Sequence, residues 1–206
     1  MSALHGPAKE RLILASGSAT RATMLRNAGL DFEQIAAPVD EAELKRSMKA
    51  EGADAAATAM ALAELKARRV SEREPGALVI GADQMLVADG AWFDKPADRS
   101  AAKAQLLALA GKSHRLISGA CVLRDGERIW GKHEHATLLM RPFGAAFADR
   151  YLDAAGDAAL KSVGGYQLEG LGAQLFQRVD GDFFVVLGLP LLALLDFLRG
   201  RGIVPA

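Results

Sequence analysis

Charged side chains that could take part in a site are spread along the first half of this chain: Arg21, Asp40, Glu41, Lys66, Asp83 and Lys95. Arg21 closes the stretch "ASGSATR", in which an apolar run empties into small residues. A strand, a loop of small residues and a helix start together present unpaired N–H groups and the positive end of a helix dipole. Ser16 and Ser18 add hydroxyl donors there, and Arg21 adds a charge that does not titrate. That is the composition of an anion cradle. It is equally the composition of a strand-to-helix turn with a capping serine. The segment lacks the GK[ST] of a Walker A loop and the GxGxxG of a dinucleotide site.

Asp83 follows the apolar run "VIGA", at the strand end where ligand-facing residues of α/β sheets stand. Lys95, in "DKP", falls on the far arm of the hairpin expected next. Glu41 follows Asp40 after Pro38, and Lys66 shares a helix face with Leu62 and Ala59. A lysine so placed either snorkels from a buried edge or points into a cleft. Taken singly, Asp83 also suits a turn and Lys95 a solvated surface. His133 and His135 face one side of a strand, a metal pair without a third ligand at a recognisable spacing. The stretch "GGYQLEGLG" crowds glycines around Tyr166 and Glu169, which fits either a chain of tight turns or close approach of backbone to a ligand.

The elements that must position these residues alternate between strand and helix. "RLILA" reads as a strand, Thr20 to Ala28 as a helix stopped by Gly29, and the Ala-rich Asp54 to Val70 as a second helix. "ALVIGAD" reads as a strand, and "MLVADGAWF" as a hairpin turning at Asp89-Gly90. A helix is expected from Ser100 to Ala110, then strands joined through Asp125-Gly126. A helix over Phe143 to Ala154 and a strand over Ala173 to Val179 follow. The run from Phe183 to Leu198 reads as a buried strand, a turn and a final helix with Pro190 in its first position. The fold class is α/β with a mixed central sheet flanked by helices, residues 1–206 forming one domain; a groove between two lobes suits this pattern, though spacing alone does not show one.

Composition narrows the function. The chain has 25 basic and 25 acidic residues among 206, so no global field draws it to DNA or to anionic lipid. With 6% aromatic residues, a nucleic-acid role is disfavoured. Cys121 is the single cysteine, which suits a reducing compartment, and no signal-peptide core precedes the first charges. The longest apolar run is broken by Gly188 and Pro190 and is too short to span a bilayer of roughly 30 Å. A cytoplasmic protein is expected.

Read in order, "LILASGSATR", "DE", "LKA", "GAD", "DKP", "LAGKSH", "EGLG" and "GLPLLAL" resemble the Maf family of nucleoside triphosphate pyrophosphatases, nearly end to end. The resemblance implies an α/β fold with a nucleotide groove, and members often form homodimers. It implies cleavage of a nucleoside triphosphate to monophosphate and pyrophosphate, aided by a divalent metal, Mg²⁺ or Mn²⁺. By motif position, Ser16, Ser18 and Arg21 are expected at the phosphates. Glu41, Lys66, Asp83 and Lys95 would complete the catalytic site, with Asp83 as proton acceptor and Asp83 and Glu41 as metal ligands.

The departures from the pattern bear on substrate. The family's Ser-Pro-Arg-Arg becomes Ser18, Ala19, Thr20 and Arg21, removing one cation. Thr20, Gln84 and Glu169 occupy positions implicated in substrate choice. Gln84 and Glu169 resemble the branch acting on 7-methyl-GTP, not the one preferring dTTP and UTP, while Thr20 does not match that branch. Two other functions remain open at this level: removal of ITP or XTP, and nucleotide-binding regulation of cell division with little turnover.

Overall fold

The computed structural model describes Gly6 and residues 10–205. In chain order its first elements are β1 (Leu12–Leu14), α1 (Ala19–Asn27), β2 (Glu33–Gln34), α2 (Glu41–Ala50), α3 (Ala55–Ser71) and β3 (Leu78–Ala88). Then come β4 (Ala91–Phe93), α4 (Arg99–Leu109), β5 (Ser113–Arg124), β6 (Glu127–Met140) and α5 (Ala145–Ala155). Short 3₁₀ turns lead to β7 (Phe176–Asp180), α6 (Phe183–Val186) and α7 (Leu191–Gly200). The strands form one seven-stranded sheet in the order β2-β1-β3-β5-β6-β7, with β4 paired to β3. β1 runs parallel to β2 and β3, whereas β4 and β7 run antiparallel to β3 and β6, so the sheet is mixed.

The chain divides into two compact units. The first comprises Met1–Gln84, Ser118–Glu134 and Gly188–Ala206. Its core packs Ile13, Ala15 and Val79 against Ala63, Ala67 and Val70 of α3, with Cys121 and Leu123 from β5. The small residues of α3 let it lie almost on the sheet backbone. A Cβ added at Gly81 would stand 2.0 Å from the Ala63 carbonyl oxygen, and one at Gly119 would stand 3.0 Å from the Ala59 carbonyl carbon. Only glycine fits such contact between helix and strand.

The second unit comprises Met85–Ile117 and His135–Leu187. Leu86, Leu106, Leu109, Leu138, Leu152 and Leu175 build its core. Its β3–β4 turn has Asp89 at φ 48° and Gly90 at φ 76°, the left-handed pair that an Asp-Gly hairpin turn requires. Asp125-Gly126, in the first unit, repeats the device between β5 and β6.

Some expectations need correction. The strand expected to stop at Asp83 continues to Ala88, so Asp83 is a mid-strand residue and not a strand-end one. Buried apolar residues on both sides of the polar Asp83-Gln84 pair carry the ladder through it. The hairpin's second arm ends at Phe93, leaving Lys95 in the irregular chain beyond it. Phe183–Val186 is a turn of helix, not a strand, because the Asp182 carboxylate caps the N–H groups of Phe184 and Val185. Pro190 is the cap of α7 and not its first residue. The strand expected from Ala173 begins at Phe176, after a 3₁₀ turn over Leu171–Leu175. The helix α2 lies outside the expected elements: none of its residues is fully buried, and its apolar face is only the half-buried Leu44 and Met48.

Candidate functional site

Lys66 lies between Ala63 and Ala67, the α3 residues packed on Gly81, and its ammonium reaches the sheet at Asp83. Residues two apart in a strand share a face, so Gly81 and Asp83 both look toward α3. Lys66 Nζ donates to Asp83 Oδ1 at 2.5 Å and meets Glu41 Oε1 at 2.7 Å. Lys66 is 8% exposed and Asp83 5%, whereas the Glu41 side chain is 45% exposed at the start of α2. The lysine therefore does not snorkel. It joins a buried acid to a half-exposed one.

Asp83 Oδ2 is buried with no hydrogen-bond partner. An ionised carboxylate oxygen left in this state is costly, and buried acceptors in folded proteins are nearly always satisfied. The atom marks a place for a donor, a water or a cation. Among the described residues no group of three or more His, Cys, Asp or Glu side chains is arranged to enclose a metal. Mg²⁺ binds through one or two carboxylates and completes its shell with waters and substrate phosphates, so two acids beside one lysine suit it by type. Asp83 and Glu41 fit that role; the exposed His133 and His135 belong to no such group.

Around Asp83 the main chain is held by Arg21. Its Nε donates to the Gly188 carbonyl at 2.8 Å, and its Nη1 donates to the Ala82 carbonyl at 3.1 Å and to Ser16 Oγ at 3.3 Å. Burial lowers the guanidinium from its ordinary value, and the nearby charges of Asp83 and Glu41 oppose that shift. Ser18 caps α1, its Oγ accepting from Arg21 N at 3.3 Å, while Ser16 Oγ accepts from Ser18 N at 3.3 Å. The capping arrangement and the arginine thus share one loop. Thr20 stands half-buried in the first turn of α1. Gln84, next along β3, donates from Nε2 to Ser118 Oγ at 3.1 Å.

The first unit therefore gathers Ser16, Ser18, Thr20, Arg21, Glu41, Lys66, Asp83 and Gln84. Lys95 and Glu169 belong to the second unit, both exposed. The glycine-rich stretch around Glu169 is a series of tight turns, with Tyr166 buried beneath it. Sequence reasoning overlooked Gly188, Gly81 and Ser118, which shape the site through a backbone carbonyl, a missing Cβ and a hydroxyl. The only sequence signals for them were the "GLP", "IGAD" and "SGA" contexts, none of which names a partner.

Residues 11–201 match the family described as Maf-like protein. A nucleoside triphosphate pyrophosphatase of Paramagnetospirillum magneticum is 61% identical over 190 residues, covering 92% of this chain and 98% of that protein. One of Rhodospirillum rubrum is 47% identical over 204 residues, 99% of each chain. A 7-methyl-GTP pyrophosphatase of Mesorhizobium japonicum is 48% identical over 195 residues, 95% of this chain and 98% of the other. Among solved structures, a dITP/XTP pyrophosphatase from Mycobacterium abscessus aligns at a TM-score of 0.46 and 16% identity, over 93% of this chain and 97% of that one. That likeness is too distant to bear on the site.

Proposed function

The chain belongs to the Maf-like protein family, and from that premise we propose that it hydrolyses a nucleoside triphosphate to the monophosphate and pyrophosphate. The observation that carries the reading is the buried Asp83, one oxygen held by Lys66 and the other without a partner. A water attacking the α-phosphorus must be aligned and must lose a proton, and Asp83 Oδ2 is an acceptor already desolvated for that purpose. Lys66 fixes the carboxylate against the strand and holds Glu41 beside it. Arg21 secures Ala82, the residue before Asp83, and the loop of Ser16 that would meet the phosphates. Lys95 is assigned by motif position as a further cation for the departing pyrophosphate.

A divalent cation held by Asp83 and Glu41, Mg²⁺ or Mn²⁺, would supply neutralisation of phosphate charge. For the base, Gln84 and Glu169 support 7-methyl-GTP over dTTP and UTP. A carboxylate accepts hydrogen bonds from guanine N1–H and the 2-amino group and is attracted to the charge that N7-methylation brings. Uracil and thymine offer it a single ring N–H.

Release of pyrophosphate and monophosphate from 7-methyl-GTP, GTP, ITP, UTP and dTTP, with Mg²⁺ or Mn²⁺, tests the reading. The wild type should turn over 7-methyl-GTP best, and Asp83→Asn should lose at least about a hundredfold in kcat, as expected when a general base is removed. Nucleotide binding without turnover of any of the five would sink the enzyme reading and favour a nucleotide-binding regulator.

A further inference from the structure

Glu169 rides on a turn fastened at both ends. On one side, Gly164 and Gly165 stand at φ 79° and 76°, and a Cβ at Gly164 would lie 2.7 Å from the Leu86 side chain and 2.8 Å from the Tyr166 ring. Gly164 N donates to Gln105 Oε1 at 3.1 Å, and Tyr151 Oη donates to the Gly165 carbonyl at 3.3 Å. On the other side, Gly170 N donates to the Gln167 carbonyl at 3.2 Å, and a Cβ at Gly172 would stand 2.3 Å from that same oxygen. Between these fastenings the chain dives into the core at Tyr166 and returns to the surface at Glu169.

Tyr166 is 3% exposed and His114, on β5, is 2% exposed. His114 Nε2 and Tyr166 Oη share a hydrogen bond of 2.6 Å. Phe176 meets the Tyr166 ring at 4.8 Å, nearly edge-on, and the His114 ring at 5.9 Å. His114 Nδ1, by contrast, is buried and has no partner. A histidine serving only to fill space here would be outdone by an apolar side chain, which leaves no nitrogen unsatisfied. What the imidazole adds is a fixed polar anchor for a tyrosine that must not rotate or withdraw.

We propose that His114 and Tyr166 are positioning residues that hold the Glu169 turn in place and thereby set which nucleobase is accepted; this rests on the pyrophosphatase reading above. A carboxylate on a pinned turn discriminates between bases because little ordering is needed on binding. On a loosened turn it adapts to whatever donors arrive.

The test compares wild type, Tyr166→Phe, His114→Gln, Glu169→Gln and the Tyr166→Phe/Glu169→Gln double variant. The readouts are the ratio of kcat/KM for 7-methyl-GTP over UTP and amide exchange across residues 163–172. Tyr166→Phe keeps the ring and its packing, removing the anchor and leaving His114 Nε2 unpaired. Its ratio should fall about tenfold, the scale of a displaced hydrogen-bonding group, with kcat on the better substrate within about threefold and exchange across the turn faster. His114→Gln should fall in the same direction, and the double variant should match Glu169→Gln alone. A ratio within about twofold of wild type in Tyr166→Phe, additive losses in the double variant, or a wild type that does not discriminate overturns the inference. Absence of turnover in the wild type sinks the pyrophosphatase reading instead. The same ratio read on dissociation constants of the two nucleotides then tests the positioning role by itself.

Discussion

Lys66 carries two obligations that separate on substitution. With Asp83 it forms a buried pair, and with Glu41 a half-exposed one. Removing one partner of a buried pair leaves an uncompensated charge in low dielectric, a loss of roughly 3–5 kcal/mol. Lys66→Met is therefore expected to lower unfolding free energy by that order, read as a shift in the urea midpoint. Glu41→Gln, whose carboxylate is open to water, should change stability by less than about 1 kcal/mol while still reducing turnover. Equal stability losses in the two variants would contradict this division. His114 offers a second residue-scale prediction. Burial depresses its imidazole from 6.5 to about 4, so the unfolded chain binds the proton more readily than the folded one. The stability contributed by the neutral ring is complete above pH 6.5 and is lost as pH falls toward about 4, on the order of 3 kcal/mol in total. Across that window His114→Gln should show a shallower fall in unfolding free energy than wild type.

At the scale of elements, the distance from Lys66 to Asp83 is set by how closely α3 lies on β3. A methyl at Gly81 has no space before the Ala63 carbonyl oxygen and the Ala67 Cβ. Gly81→Ala is expected to destabilise by on the order of 3 kcal/mol through overpacking, measured by thermal or urea unfolding, with loss of turnover in the fraction that folds because the helix must lift. The elements that were legible in sequence are those whose signal is local. The Ala-rich α3, the Asp-Gly turns and the glycine stop after α1 each follow from propensity or backbone conformation. What escaped has two causes: partners distant in sequence, and short-range caps that override composition. The polar α2 is capped locally by Asp40, and its tie to the rest of the fold, Glu41 to Lys66, is the part its own residues do not reveal. The long β3 runs through Asp83-Gln84 because Lys66 and Ser118 meet those polar side chains. Phe183–Val186 had the composition of a strand, and a single capping aspartate made it helical.

For the molecule as a whole, zero net charge leaves recognition to local groups, so nucleotide affinity should depend on salt only through a few side chains. No helix among the described residues is long and apolar enough to cross a membrane. The place of Asp83 within a strand has a consequence for how the protein fails. A strand that slips by one residue turns every side chain to the opposite face, so intermediate positions do not exist. A carboxylate on a loop can drift and leave an enzyme at partial strength; this one is either opposite Lys66 or on the wrong side of the sheet. Damage elsewhere in the fold should therefore act as a switch on each molecule and not as a dimmer. Across a series of destabilising core substitutions, such as Leu138→Ala and Leu123→Ala, turnover per folded molecule should stay constant while the folded fraction declines. Active-site titration against unfolding curves distinguishes this from a gradual loss, in which every molecule would work more slowly.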